Sequence, residues 1–307
     1  MTLAMRAAAV AAFLLPLATH AQPSALAAAR QGFETKIELP KSVPRPAPTP
    51  PRDVFLKVVY ASRAGVLGAY LTPNPRDGTK HPAIVWITGG DCNTIDDVWS
   101  PASRADDQSA AAYRKAGIVM MFPSLRGGND NPGRREAFYG EVDDVLAAAD
   151  FLARQPYVDP QRIYLGGHST GGTLALLTAE ASARFRAVFA FGPVGKVQDY
   201  GSDLVPVNFS RLDAREASLR SPDLWLDSAA GRVFVIEGTG GNIRPFTAMR
   251  SKSRNPLVTF LAVDGASHFS VLAPANEVIA RAILADTGPA TRIELSEAQL
   301  ATALRAR

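Results

Sequence analysis

Two rhythms of apolar and polar positions alternate along this chain. Continuous apolar runs occur at Ala83–Thr88, Ile118–Phe122, Ala187–Phe191, Val233–Glu237 and Val258–Val263. Runs of that length suit strands buried on both faces, as a parallel sheet requires. Val54–Ala61 and Val66–Thr72 read as two strands joined by a short turn, and Arg162–Gly166 as another, after a break at Asp159-Pro160. Between these runs the period changes. Glu141–Arg154 places Val142, Val145, Leu146, Ala149 and Leu152 at helical spacing, and Gln108–Ala116, Thr170–Ala183 and Asn276–Leu284 also read as helices. Strands alternating with helices predict right-handed crossovers and a mostly parallel central sheet with helices on both faces. The expected fold class is α/β, a single domain over about 53–287, with the initial hairpin as an antiparallel edge.

The flanking segments follow other rules. Arg6 and the α-amino group precede an apolar stretch of eleven residues, Ala7–Leu17, and Thr19-His20-Ala21 offers small residues for cleavage. Residues 1–21 therefore read as a secretory signal peptide, too short to anchor a chain in a bilayer, with a periplasmic or secreted protein starting at Gln22. Residues 22–52 are Ala-rich and then Pro-rich, with six prolines in fourteen residues over 39–52. Proline denies the donors that a helix or inner strand needs, so this stretch is expected to be a linker or extended arm. Residues 288–307 form a tail expected to be helical from Ile293 onward.

Composition narrows the classes. Hydrophobic residues at 47% and charged residues at 20% permit a sizeable core and exclude wholesale disorder. The net charge of +4 is spread along the chain without a run of five Lys or Arg, which argues against nucleic acid as a partner. A single cysteine, Cys92, excludes an intramolecular disulfide, and four histidines without HExxH spacing argue against a local zinc site. Oligomeric state is left open, as is the role of Cys92.

The sharpest motif is Gly166-Gly167-His168-Ser169-Thr170-Gly171-Gly172. It contains G-x-S-x-G directly after a predicted strand and opens a predicted helix, the context of a nucleophile elbow. A serine hydroxyl needs a base to take its proton. Only His268 follows Ser169, in Asp264-Gly265-Ala266-Ser267-His268-Phe269, after the last predicted strand. Charge developing on a substrate oxygen needs donors held in place. Thr170 N–H is one candidate, and an amide of the Thr88-Gly89-Gly90-Asp91-Cys92 loop, at Gly90 or Asp91, is the other.

At this point the chain resembles the catalytic domain of the prolyl oligopeptidase and dienelactone hydrolase branch of α/β-hydrolases. The residues that carry the likeness are His81–Trp86 leading to Gly89-Gly90, Pro123-Ser124-Leu125-Arg126-Gly127-Gly128, and Glu141–Val145 continuing through Val158–Ile163 to the elbow. The resemblance implies the α/β-hydrolase fold and a serine hydrolase without a cofactor or metal. Two departures stand out. Thr88 replaces a histidine that the family often shows before the Gly-Gly pair. The stretch after the seventh strand, where the family carries its triad acid, reads Glu237-Gly238-Thr239-Gly240-Gly241-Asn242, and the aligned position falls on Gly241.

The acid is then Glu237, Asp199 or none. Glu237 ends the strand that should present it and ranks first, Asp199 follows the sixth strand, and Asp264, four residues from His268, reads as a cap of its own turn. The expected activity is cleavage of a carboxylic ester or amide through an acyl-enzyme on Ser169, with His268 as base. A prolyl-oligopeptidase-like peptidase acting on short peptides is the close alternative, and a degenerate hydrolase that only binds a ligand is the rival from another class. The segment Lys196–Ala230, with Phe209, Leu212, Leu219, Leu224, Trp225 and Leu226, reads either as a lid or as packing on the core.

Overall fold

The computed structural model describes residues 23–39, 45–201, 205, 207 and 213–306. The expected signal peptide, Phe209 and Leu212 lie outside the described residues.

An eight-stranded sheet organises the chain: β1 (Leu56–Ser62), β2 (Gly65–Leu71), β3 (His81–Ile87), β4 (Val119–Pro123), β5 (Val158–His168), β6 (Ala187–Phe191), β7 (Arg232–Gly238) and β8 (Val258–Val263), in spatial order β1-β2-β4-β3-β5-β6-β7-β8. The β1–β2 and β2–β4 pairs are antiparallel and every other pair is parallel. Both faces of the sheet are covered, which is why its inner strands lack polar alternation. In β3, Ala83, Val85 and Ile87 face one apolar cluster while Ile84 and Trp86 face the other. The first cluster takes in residues of α1 (Ala25–Arg30), α3 (Glu141–Ala153), α4 (Thr170–Ala181) and α6 (Ile243–Lys252). The second takes in α2 (Ala111–Lys115), α7 (Leu272–Ala285) and α8 (Glu297–Arg305). On the connection from β6 to β7, α5 (Ala214–Ser218) adds Ala217 to the first cluster.

Three sequence expectations change in detail. The break at Asp159-Pro160 falls inside β5: His81 faces Val158 but Ala83 faces Ile163, so the proline sits in a bulge where its missing donor costs no ladder bond. Helix α2 begins only at Ala111, because Ala110 takes a left-handed φ of 48° and the Asp107 carboxylate accepts the Ala111 N–H.

The expected linker over 22–52 is, across its described residues, an arm laid on the domain. Ser24 caps α1, Leu26 is fully buried, and the Thr35 hydroxyl and Lys36 N–H both donate to Glu216. Leu39 forms an isolated antiparallel bridge with Arg135, and Pro48 O accepts from the Tyr70 hydroxyl at 2.6 Å. The sequence signal of six prolines denied regular structure, and the described residues 45–52 form neither helix nor strand. It could not register the side-chain anchors that hold the arm down.

The tail is docked as well. Asp286 accepts the Arg292 N–H, Ile293 and Leu300 are buried, and a capping box of Ser296 and Gln299 starts α8. Among the described residues no helix is long and apolar enough to cross a membrane.

Candidate active site

The sheet brings the ends of β3, β5, β6, β7 and β8 to one edge, and the site is built there from five connections. Ser169 stands between β5 and α4 with φ 56° and ψ −117°, a strained conformation for a residue with a side chain. The turn is held on both sides: Ser169 N–H donates to Phe191 O of β6 at 2.8 Å, and Ser169 O accepts the Thr173 N–H at 2.9 Å. Gly167 has no room for a Cβ, which would lie 2.3 Å from Gly171 O. A serine in such an elbow projects its hydroxyl above the sheet edge.

His268 lies on the loop between β8 and α7, and its Nδ1 is 2.9 Å from Glu237 Oε2. Glu237 is fully buried near the end of β7. Its Oε1 accepts the Gly238 N–H at 2.7 Å and its Oε2 accepts the Asn242 N–H at 3.0 Å, so backbone donors orient the carboxylate. An acceptor on Nδ1 selects the tautomer with the proton there, which leaves the Nε2 lone pair free for a proton from elsewhere. No hydrogen bond joins Ser169 Oγ to this ring in the structure. Such contacts are often long in unliganded sites and tighten with substrate.

The other two carboxylates are not brought to His268. Asp199 is exposed at the end of the single turn Val197–Asp199, and Asp264, on the surface, accepts from Thr239 Oγ1 at 3.4 Å. His81, the first residue of β3, bonds Asp77 and Thr79 on the preceding loop.

Thr170 ties the loop after β3 to the elbow, its hydroxyl donating to Gly90 O at 2.9 Å. Among the described residues, the backbone N–H groups of Thr170, Gly90 and Asp91 donate to no protein acceptor. Three free donors beside Ser169 can hold an oxyanion. Next to them lies a cavity of about 270 Å³ lined by Gly90, Thr170, Cys92, Arg135, Phe138 and Leu39. Arg135 pairs there with Asp91. Cys92 is buried, and burial, with Glu141 adding to it, pushes its thiol up to about 12, far from a reactive thiolate. A larger cavity of about 1040 Å³ lies between α1 and α3 around Arg30, Tyr139 and Asp143, away from every candidate catalytic group.

The described part of Lys196–Ala230 packs on the core: Val197, Leu219 and Leu226 are buried, and Trp225 Nε1 donates to Ser218 O. Sequence reading missed the Asn242 main chain, which supports Glu237, and Leu39 of the arm, which walls the cavity. Neither carries a sequence signal, since one acts through its amide and the other by position alone.

Comparison with known proteins agrees with this architecture. Residues 104–217 match the family model of the prolyl oligopeptidase family. Over 157 residues the chain is 28% identical to the dual function macrocyclase-peptidase POPB of Galerina marginata, covering 44% of this chain and 20% of that one. A Mycobacterium tuberculosis puromycin-hydrolyzing peptidase superposes with a TM-score of 0.60 at 21% identity, covering 81% of this chain and 43% of that one. A Pyrobaculum calidifontis esterase superposes with a TM-score of 0.53 at 19% identity, covering 75% of this chain and 85% of that one. The chain thus spans about a fifth of that curated relative's length. Its fold is the α/β-hydrolase fold, and its sequence resembles the catalytic part of prolyl oligopeptidases.

Proposed function

We propose that this chain, with its α/β-hydrolase fold, is a serine hydrolase that cleaves a carboxylic ester or amide through an acyl-enzyme on Ser169. The observation that carries the reading is the 2.9 Å contact of His268 Nδ1 with the buried Glu237 carboxylate, at the sheet edge that holds the serine elbow. In this reaction Ser169 Oγ attacks the carbonyl carbon as its proton passes to His268 Nε2. Glu237 stabilises the imidazolium without taking its proton. The Thr170 N–H, with Gly90 or Asp91, holds the oxyanion. When the tetrahedral species collapses, His268 returns the proton to the departing oxygen or nitrogen, leaving an acyl ester on Ser169. Water then attacks that ester with His268 as base, and the acid is released as Ser169 regains its proton.

The esterase and peptidase readings differ in leaving group alone. An alkoxide leaves more easily than an amine, which favours an ester, and the 270 Å³ cavity suits a small acyl group in either case. The match of 104–217 to the prolyl oligopeptidase family favours a short peptide. The sequence of residues 1–21 supports export to a periplasm or medium, and N-terminal sequencing of the secreted protein should begin at Gln22.

Labelling with a fluorophosphonate probe tests the reading. Wild type should label, Ser169→Ala should not, and Glu237→Gln should label slowly. A folded wild type that stays unlabelled would overturn it and leave a protein that binds without turnover.

A further inference from the structure

His168 is the residue before the nucleophile, and its imidazole is almost wholly buried. Its Nε2 lies 3.1 Å from the main-chain oxygen of His268. The two rings pack with centroids 4.4 Å apart, and the Phe269 ring closes against both, at 5.3 Å from His168 and 5.1 Å from His268. A carbonyl oxygen can only accept, so the proton resides on His168 Nε2 and Nδ1 is the bare nitrogen. That Nδ1 is buried without a partner among the described residues, against Gly89, where an added Cβ would lie 3.0 Å away. Burial, and next the neighbouring His268 ring, push the His168 pKa down to about 3, so the ring stays neutral and the tautomer holds through the ordinary working range.

The geometry gives this bond a distinct task. The elbow fixes Ser169 through β6 and α4. The Glu237 contact fixes the rotation and tautomer of the His268 ring, but it pulls toward β7 and says nothing about the distance from His268 to the elbow. The loop carrying His268 is also held by Ala266, whose N–H donates to Val263 O and whose carbonyl accepts from Gly240, by the Gly265 N–H donating to Thr239 Oγ1, by the Leu272 N–H donating to Phe269 O, and by Ser267 and Ser270 bonding each other on the surface. The His168 bond alone links the main chain of the base directly to the residue beside the nucleophile.

We propose that His168 is a positioning residue: its Nε2–H, bonded to the His268 carbonyl, sets the reach of His268 Nε2 over Ser169 Oγ. It acts through the placement of His268. This role rests on the serine hydrolase reading. It is a matter of geometry, and misplacement of about 1 Å between reacting groups costs about 10²-fold in rate.

The test compares His168→Gln, His168→Asn and His168→Leu in the purified chain, with p-nitrophenyl acetate turnover and fluorophosphonate labelling, and thermal melting as the folding control. Gln places an N–H where Nε2 stands, whereas Asn ends at the Nδ1 position and Leu offers no donor. Asn and Leu should lower kcat about 10²-fold with KM changed by less than about threefold, and Gln should recover to within about tenfold of wild type. Should Leu fail to fold, Gln against Asn decides, since both carry an amide and differ only in reach. Leu turning over at the wild-type kcat, or Gln falling as far as Asn, would overturn the positioning role while leaving the hydrolase intact. A folded wild type that neither labels nor turns over would instead sink the hydrolase reading on which the role rests.

Discussion

The carboxylate of Glu237 fills the space that a side chain on Gly241 would need. A Cβ added to Gly241 would lie 2.4 Å from Glu237 Oε1, 2.8 Å from its Cδ and 2.9 Å from His268 N. The resembling family places its acid at the position aligned with Gly241. Here a longer side chain four residues earlier reaches the same spot from the strand, and the glycine at 241 leaves that space clear. The two residues are halves of one solution.

That relation predicts a rescue. Glu237→Gln keeps the shape but presents an amide that favours the wrong imidazole tautomer, so kcat should fall by about 10³–10⁴. Glu237→Ala should fall comparably, and adding Gly241→Asp to it should restore at least about tenfold by returning a carboxylate to the vacated space. Gly241→Asp on the wild-type background should instead abolish turnover, because two carboxylates would compete for one volume. Ester hydrolysis by the four proteins checks the pattern, and a double variant no better than Glu237→Ala would refute it.

The proposed oxyanion site would use Thr170 twice, through its N–H and through the hydroxyl that donates to Gly90 O. Thr170→Val keeps the volume and the amide but removes the hydroxyl. The freed loop should cost about 10-fold or more in kcat, below the 10²–10³ expected for losing a donor outright. Thr170→Ser should retain most activity. Equal kcat for the valine and wild-type proteins would show that the tether is dispensable.

Asp286 anchors the far end of α7 and the tail. It accepts two hydrogen bonds from Arg186, at 2.6 and 2.9 Å, and others from the Tyr164 and Thr291 hydroxyls and the Arg292 N–H. Burial alone would raise its carboxyl, but these donors, Arg186 foremost, outweigh burial and hold the pKa well below the ordinary 3.8. Because the folded value is depressed, the stabilisation is complete above that ordinary value and is lost as pH falls through the lower one. Asp286→Asn should cost about 3–5 kcal/mol at neutral pH by leaving Arg186 uncompensated. The deficit relative to wild type should shrink as the pH drops below 4, and a pH-independent difference in urea melts would count against the assignment.

Glu180 runs the opposite way. It lies within α4, fully buried, and neither side-chain oxygen has a partner among the described residues. Burial, with the nearby Asp223 adding to it, raises its pKa well above the ordinary 4.5. The folded chain therefore keeps the proton while the unfolded chain releases it, and stability falls as pH rises above that ordinary value. Glu180→Met should stabilise by about 1–3 kcal/mol at pH 8 and by less at pH 4. Identical gains at both pH values would show that the carboxyl is not held neutral.

Much of the frame was legible in the residues. Uninterrupted apolar runs such as Ala83–Ile87 mark strands covered on both faces, and the glycines around Ser169 mark a turn too tight for side chains; both are local facts that neighbouring residues encode. Glu237 ranked first as acid because strand end and side-chain length are readable in a line of letters. That Asp199 and Asp264 do not bond the His268 ring appears only in three dimensions, where both carboxylates are exposed and the ring's Nδ1 meets Glu237.

What the sequence determined by itself was therefore the order of strands and helices, the elbow at Ser169 and the short roster of groups that could serve it. Tertiary structure alone decided which members of that roster meet. The Glu237–His268 contact, the Thr170 tether on Gly90, the His168 bond to the base loop and the arm's Leu39 at the cavity all join residues distant along the chain. Apolar periodicity is set by the burial of each residue and so is written locally. A hydrogen bond between two loops exists only once the sheet has fixed the distance between its strands, and no single segment carries that distance.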